Sequence, residues 1–198
     1  MNLSDLVQGA IGNQLVNGLS QQIGVEDSKV SSAISLALPF LLSQMNKNVS
    51  SDPKQAESLA NALSEHQNRD ISNVSSILDS PNMAEGLGIL GHVFGNKQNN
   101  VAQNIGQSTG LSTGKVMQIL ATLAPIVMGY LGKQKAQNNM GAQDVPNLLG
   151  SLLGGMKQTN QSEMSMIERM LDQDGDGSLM GEAMDLGGKL LGGFFGKK

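Results

Sequence analysis

Two stretches decide the fold: GVEDSKVSSAISLALPFLLS at residues 24–43 and GLSTGKVMQILATLAPIVMG at residues 110–129. Laid over each other at an offset of 86 residues, they align without a gap, and their apolar positions coincide. We therefore predict two copies of one helical unit, at residues 3–48 and 89–134. The identical pairs include Gly24 and Gly110, Lys29 and Lys115, Val30 and Val116, Pro39 and Pro125, and Lys47 and Lys133.

Each copy has the pattern of two helices joined by a glycine turn. In the first copy, apolar residues recur at spacings of three and four over residues 3–19, which indicates an amphipathic helix. The turn glycines suit a helix C-terminus, and the short polar residues after them can cap the next helix. We expect Pro39 and Pro125 to kink that second helix or to begin a new one. Since no long stretch alternates at period two, the chain is predicted to be all-α.

The segments outside the two copies predict shorter helices and a linker. Residues 52–65 and 70–80 have the apolar spacing of two further helices. Residues 134–147 are rich in Gln, Asn and Gly, which is typical of a flexible linker, and the leucine pairs after them predict a short helix. The predicted organisation is a duplicated helical domain at 1–133, a linker with a short apolar segment at 134–160, and a C-terminal part at 161–198.

The composition excludes several classes of function. The 198 residues contain no cysteine, which rules out disulfides, thiolate zinc sites, iron–sulfur clusters and cysteine nucleophiles. No G-x-S-x-G elbow, S-x-x-K motif or Walker-type loop occurs, and Gly86-Leu87-Gly88 follows no predicted strand. We therefore expect no enzymatic activity. The N-terminus lacks a basic n-region and no apolar run approaches a membrane span, so we expect a cytoplasmic protein, with secretion without a cleavable signal left open.

The charge is unevenly distributed along the chain. Residues 86–143 contain four lysines and no acid, whereas the segments on either side are acidic and bring the net charge to −4. The spacing from Gly24 to Val30, repeated from Gly110 to Val116, has the form of a helix-turn-helix. In the second copy, Lys115 and Gln118 are candidates for nucleic-acid contact. Because cations are so sparse, a packed helical corner explains the motif better, and nucleic-acid binding stays the alternative function.

The segment Gly88-Ile89-Leu90-Gly91-His92-Val93-Phe94-Gly95 resembles the GxxxLGHxxG-type segment of the bacterial YidB-like family, domain of unknown function 937. Further similar blocks follow in order at residues 108–112 and 123–129, and the acidic loop at residues 171–178 has a counterpart in the family. The resemblance thus spans residues 5–195. What it implies is an all-helical, homeodomain-like arrangement with no established activity.

The strongest chemical signal is an aspartate loop near the C-terminus. Calcium takes six to eight oxygen ligands, and an EF-hand loop supplies them from alternate positions with a glycine at the sixth. Gly177 occupies that sixth position, whereas the twelfth is Ala183 and the acid lies one residue early. The alternative is a plain turn between helices, although carboxylates at alternate positions repel one another without a cation. The predicted ligands of a weak calcium site are Asp172, Asp174, Asp176, Ser178 and Glu182.

Two weaker signals have structural explanations as well as functional ones. His66 and His92 are the only histidines, and both are candidates for a metal ligand or a general base. We place His92 in a glycine-rich helix start, where a hydrogen bond to backbone is the alternative. The glycine-rich tail after Leu186 carries Phe194 and Phe195, which are candidates for contact with a partner, a membrane surface or the chain's own domain. We expect docking onto the chain's own domain rather than onto a membrane.

Together these patterns predict a soluble bacterial all-α protein that ends in an EF-hand-like calcium loop. Its expected role is that of a non-enzymatic interaction or scaffold module, with an unidentified protein partner or a second copy of itself. A helix-turn-helix nucleic-acid binder is the alternative. The scarcity of aromatic residues, 3% of the chain, indicates that a partner surface would consist of Leu and Met side chains.

Overall fold

The computed structural model describes residues 9–79 and 81–159, and every regular element within these ranges is a helix. The prediction of an all-α protein is therefore confirmed for the described residues. Two short 3₁₀ turns, Gly95–Lys97 and Ala142–Asp144, connect longer elements. The α-helices are α1 (Ala10–Ile23), α2 (Asp27–Ser51), α3 (Pro53–His66), α4 (Val74–Asp79), α5 (Met83–Phe94), α6 (Gln98–Thr109), α7 (Thr113–Gln137) and α8 (Val145–Thr159).

The two long helices, α2 and α7, begin directly after the predicted glycine turns. Gly24 and Gly110 adopt left-handed conformations, with φ of +63° and +71°, which end α1 and α6 at almost no steric cost. In each turn the next amide donates back into the preceding helix, from Val25 to Ser20 O and from Leu111 to Gly106 O. Each long helix has 25 residues, and α7 begins and ends 86 residues after α2.

Both prolines lie inside continuous helices. Pro39 is within α2 and Pro125 is within α7, so the possibility that each proline begins a new helix is wrong. An interior proline removes one backbone hydrogen bond and crowds the preceding turn, at a cost of about 3 kcal/mol or more. Here both rings are buried among apolar neighbours, and the burial of the surrounding aliphatic side chains offsets that cost.

The core forms around α7, which packs against α2, α3, α5 and α6. Its fifteen buried residues extend from Val116 to Gly132, so the helix is apolar on nearly all sides. By length and composition alone α7 would pass as a membrane span, but 78% of its most apolar window is buried inside the protein. That burial is the pattern of a helix at the centre of a core.

Two of the shorter helices follow the sequence closely. α3 confirms the predicted helix at 52–65, because Pro53 occupies its first turn and the Asp52 carboxylate accepts from the Lys54 amide at 2.9 Å. α4 is shorter than the predicted 70–80. The Asp70 carboxylate accepts from the Ser72 amide at 3.0 Å, so these residues form a turn before the helix begins.

The segment predicted as a flexible linker is mostly structured. α7 continues through Gln137, and α8 begins at Val145 and packs against α2 and α3. The polar residues between them turn the chain, with Asn139 at φ +50° and the Gly141 amide donating to the Asp144 carboxylate at 2.8 Å. Local composition predicts a linker, but α8 belongs to the core. Its buried side chains are Val145, Leu148, Leu149 and Met156.

Candidate functional site

A cleft opens between α3 and α5. Both helices pack against α7, yet they hardly touch each other, which leaves a space of about 400 Å³ between them. α5 lies very close to α7 because Gly86 has no side chain: a Cβ at that position would lie 1.9 Å from the Ala121 carbonyl oxygen. Gly86 therefore has a packing role, and this close approach places the cleft-facing side of α5.

The floor and walls of the cleft are mainly aliphatic. Its floor is buried, with Met45 and Val49 from α2 and Met128 from α7. The partly exposed side chains of Leu59 and Ile89 form the opposite walls, on α3 and α5. A concave apolar surface that solvent can enter, lined in part by methionine, is typical of a binding site for an apolar group.

At one end of the cleft, the Glu85 carboxylate contacts both Arg69 and His66. The Arg69 guanidinium donates to the Glu85 carboxylate, and His66 Nε2 lies 3.5 Å from the same oxygen, Oε1. Glu85 is positioned by the start of α5, where its amide donates to the Asn82 side chain at 3.1 Å. The three side chains are only 18–29% exposed, so this contact ties the end of α3 and the following turn to α5.

The other end of the cleft is tied by an amide side chain. Asn48 Nδ2 on α2 donates to the Val93 carbonyl oxygen on α5 at 2.9 Å. Gln44 Nε2 in turn donates to Asn48 Oδ1 at 2.8 Å, which holds the Asn48 amide in that orientation. The cleft is thus bounded by polar contacts at both ends and is apolar between them.

The structure places the two histidines towards opposite ends of this cleft, His66 beside Glu85 and His92 next to Val93. His66 and His92 are 26 positions apart in the chain, and both line the cleft, His92 at its exposed rim. Within residues 9–79 and 81–159, no group of three or more His, Cys, Asp or Glu side chains is arranged to hold a metal ion. His66 is largely covered and contacts Glu85, whereas the His92 side chain is exposed.

The two residues predicted for nucleic-acid contact lie on the first turns of α7. The Lys115 ammonium on α7 donates to the Gly24 carbonyl oxygen at 3.3 Å. This hydrogen bond caps the C-terminal end of α1. Gln118 is exposed, and its carbonyl accepts from the Thr122 hydroxyl at 3.0 Å. The Lys115 contact gives that residue a structural role, and it reduces the density of free cations expected of a phosphate-binding surface.

The predicted calcium ligands and the tail phenylalanines lie outside the described residues: Asp172, Asp174, Asp176, Ser178, Glu182, Phe194 and Phe195.

Reasoning from sequence missed the cleft residues Met45, Glu85, Ile89 and Met128. Each belongs to an ordinary apolar or capping pattern on its own helix, and only the packing of three helices, α2, α5 and α7, brings them together. Both histidines lie in the last turns of their helices, α3 and α5, so the expectation that His92 lies at a helix start is wrong.

These features define an all-helical protein in which two long proline-containing helices support an apolar cleft. The chain belongs to a family of bacterial proteins of unknown function, DUF937, whose model matches residues 5–134. The predicted family membership is thereby confirmed. The match ends within α7, so α8 and the aspartate loop lie beyond it, although the resemblance seen in the sequence extended to residue 195. No curated protein and no solved structure matches the chain.

Proposed function

We propose that this protein is a non-enzymatic interaction module that binds a partner segment in the cleft between α3 and α5. The single observation that carries the proposal is a cleft that solvent can enter, whose walls carry partly exposed aliphatic side chains above a buried apolar floor. Apolar surface of this kind gains free energy when it is covered, by about 25 cal/mol per Å² removed from water. Soluble proteins leave such surface open chiefly where a ligand or partner covers it.

The charge at the rim specifies the chemistry of the partner. Glu65 is exposed on α3 beside the cleft, and it forms no ion pair with any residue in the described part of the chain. Glu85, on the opposite wall, is already paired with Arg69. An apolar segment with an adjacent lysine or arginine would place its cation near Glu65 while its apolar side chains fill the cleft. We therefore propose a basic amphipathic partner.

A peptide titration tests this proposal. The probe is a short fluorescent amphipathic peptide of Leu and Lys, and a Leu and Glu peptide of the same pattern serves as the charge control. Ala62→Trp fills the cleft, whereas Ala136→Trp adds the same side chain at an exposed position in the last turn of α7. We expect saturable binding of the Leu–Lys peptide to the wild-type and Ala136→Trp chains, and a loss of about tenfold or more with Ala62→Trp. Equal affinity of the two variants, or binding of neither peptide, contradicts the proposal.

We further propose that α1–α2 and α6–α7 are two copies of one helix-turn-helix unit of homeodomain-like character. The equal lengths of the long helices, their separation of 86 residues, and the matching left-handed glycines support this proposal. The interaction surface then lies between elements that were added around a duplicated scaffold. We expect that neither half folds when it is expressed alone, because α7 packs against α2 in the common core.

We also propose that the aspartate loop binds calcium weakly through Asp172, Asp174, Asp176, Ser178 and Glu182. The alternation of the aspartates and the glycine at the sixth position support it. Calorimetry with millimolar calcium, on the wild-type chain and on a chain with Asp172→Asn and Asp174→Asn, tests the site. If neither chain gives a heat of binding, the proposed calcium site is contradicted.

Nucleic-acid binding through Lys115 and Gln118 is the alternative function. Gel shifts at low and moderate salt distinguish it from the interaction module, because contacts to phosphate weaken steeply as salt rises. A Lys115→Gln chain that loses a steep salt-dependent affinity would favour the alternative.

A further inference from the structure

The described part of the chain buries all of its aromatic side chains. Phe40, Phe94 and Tyr130 are each 3–5% exposed. The whole sequence contains four phenylalanines, one tyrosine and no tryptophan, so the two remaining aromatic residues are Phe194 and Phe195 in the C-terminal tail. These two apolar side chains, together with Leu190 and Leu191, form the most apolar segment of the chain after α8.

The described part of the chain ends on a helix that packs against elements of the cleft. α8 ends at Thr159, and it packs against α2 and α3, both of which contribute to the cleft. About 30 residues separate Thr159 from Leu190, and a chain of that length extends over at most roughly 100 Å. That reach exceeds the dimensions of a domain of this size, so the chain length allows the tail to reach the cleft.

The volume and charge of the cleft match the tail. An apolar cavity of about 150 Å³ accommodates a benzene ring, so the 400 Å³ between α3 and α5 has room for two large apolar side chains. The tail carries Lys189 before its apolar residues and Lys197 and Lys198 after them, whereas Glu65 lies at the rim of the cleft. The tail therefore has the composition that the proposed partner requires.

We propose that residues 186–198 dock into the cleft of their own chain and compete there with the partner segment. This inference rests on the proposed function, because it names the occupant of the same cleft when no partner is bound. A tethered segment acts at an effective concentration in the millimolar range, so even weak contacts occupy the cleft for much of the time. The partner must displace the tail, and its apparent affinity falls by the fraction of molecules with an occupied cleft.

Disulfide trapping in the full chain tests the docking directly. Because the chain lacks cysteine, two cysteines can be introduced without competing thiols. The test pair is Ala62→Cys with Gly196→Cys, and the matched control pair is Ala136→Cys with Gly196→Cys. Ala62 lines the cleft and is partly buried, whereas Ala136 is exposed and reacts faster in the absence of docking. A disulfide forms only when the two Cα atoms approach within about 7 Å.

We expect the cleft pair to form an intramolecular disulfide on the order of tenfold faster than the control pair. Adding Phe194→Ser and Phe195→Ser to the cleft pair should reduce its rate to that of the control. Equal rates for the two pairs overturn the inference. Disulfide-linked dimers without the intramolecular product also overturn it, because they place the tail in the cleft of a second copy.

Peptide titration of the Phe194→Ser, Phe195→Ser chain separates the two proposals. If the tail competes for the cleft, the Leu–Lys peptide binds this chain more tightly than it binds the wild-type chain. If the peptide binds both chains equally and the cysteines are not trapped, the inference fails and the proposed function stands. If the peptide binds neither chain, the proposed function fails.

Discussion

The contact between α5 and α7 depends on a single missing methyl group. Replacement of Gly86 by Ala adds a Cβ that would lie 1.9 Å from the Ala121 carbonyl oxygen and 2.6 Å from its carbonyl carbon. Real Cβ contacts are essentially never shorter than 3.0 Å, so the two helices must separate by about 1.1 Å. The obstructing atoms belong to the backbone of α7, and no side-chain rotation can relieve the contact.

The cost of this change is worked from two opposing effects. Overpacking of a well-packed contact costs about 1–3 kcal/mol, and a gap of 0.5–1 Å forfeits roughly a quarter to a half of the dispersion energy of the atoms that separate. The buried residues of α5, Leu90 among them, lose contact with the core when the helix moves. The higher helix propensity of alanine offsets about 1 kcal/mol of this loss in the free energy of unfolding. We expect the free energy of unfolding to fall by about 2 kcal/mol.

Gly88→Ala is the matched control within the same helix. Gly88 is exposed, and a Cβ there meets no atom within 4 Å, so this variant should be more stable than the wild type by up to about 1 kcal/mol. Thermal unfolding followed by circular dichroism measures both, and a difference of about 3 kcal/mol corresponds to roughly 6–12 °C for a chain of this size. A Gly86→Ala protein as stable as Gly88→Ala would refute the assigned contact between α5 and α7.

Two other regions of the fold give predictions of the same kind. Gly132→Ala would place a Cβ 2.2 Å from the Leu63 carbonyl oxygen, so urea unfolding should show a loss of about 2 kcal/mol, whereas the open position Gly114 should tolerate alanine without loss. The Ser72 hydroxyl and amide lower the pKa of Asp70 by donating to its carboxylate, so Ser72→Ala should raise that pKa towards its usual value, as followed by carboxyl NMR. Because the folded pKa is lowered, this stabilisation is present above the ordinary carboxylate pKa and is lost as pH falls through the lowered value. The stability difference between wild type and Ser72→Ala should therefore disappear in acid, and a pH-independent difference would contradict the assigned hydrogen bonds.

Much of the helical organisation could be predicted because its signals are local. A glycine in a left-handed turn, with an apolar pattern on either side, sets the end of one helix and the start of the next. Gly24 and Gly110 are therefore found where the pattern indicates, and the bounds of α3 follow from Asp52 and Pro53. The leucine pairs predicted the helix α8, but the flexible linker predicted at 134–147 is wrong, because both of its ends belong to helices and α8 packs against α2.

The sequence by itself determined the helical class, the family and the turn positions, since these depend on periodicity and on backbone preferences read over a few residues. Only the tertiary structure decided that α3 and α5 stand apart on α7 and leave a cleft. The distance between them depends on non-local contacts such as that of Gly86 with Ala121, which no local pattern records. His66 and His92 illustrate the difference. Each lies in an ordinary helical pattern of its own, and only the packing of the helices makes both of them line one apolar cleft.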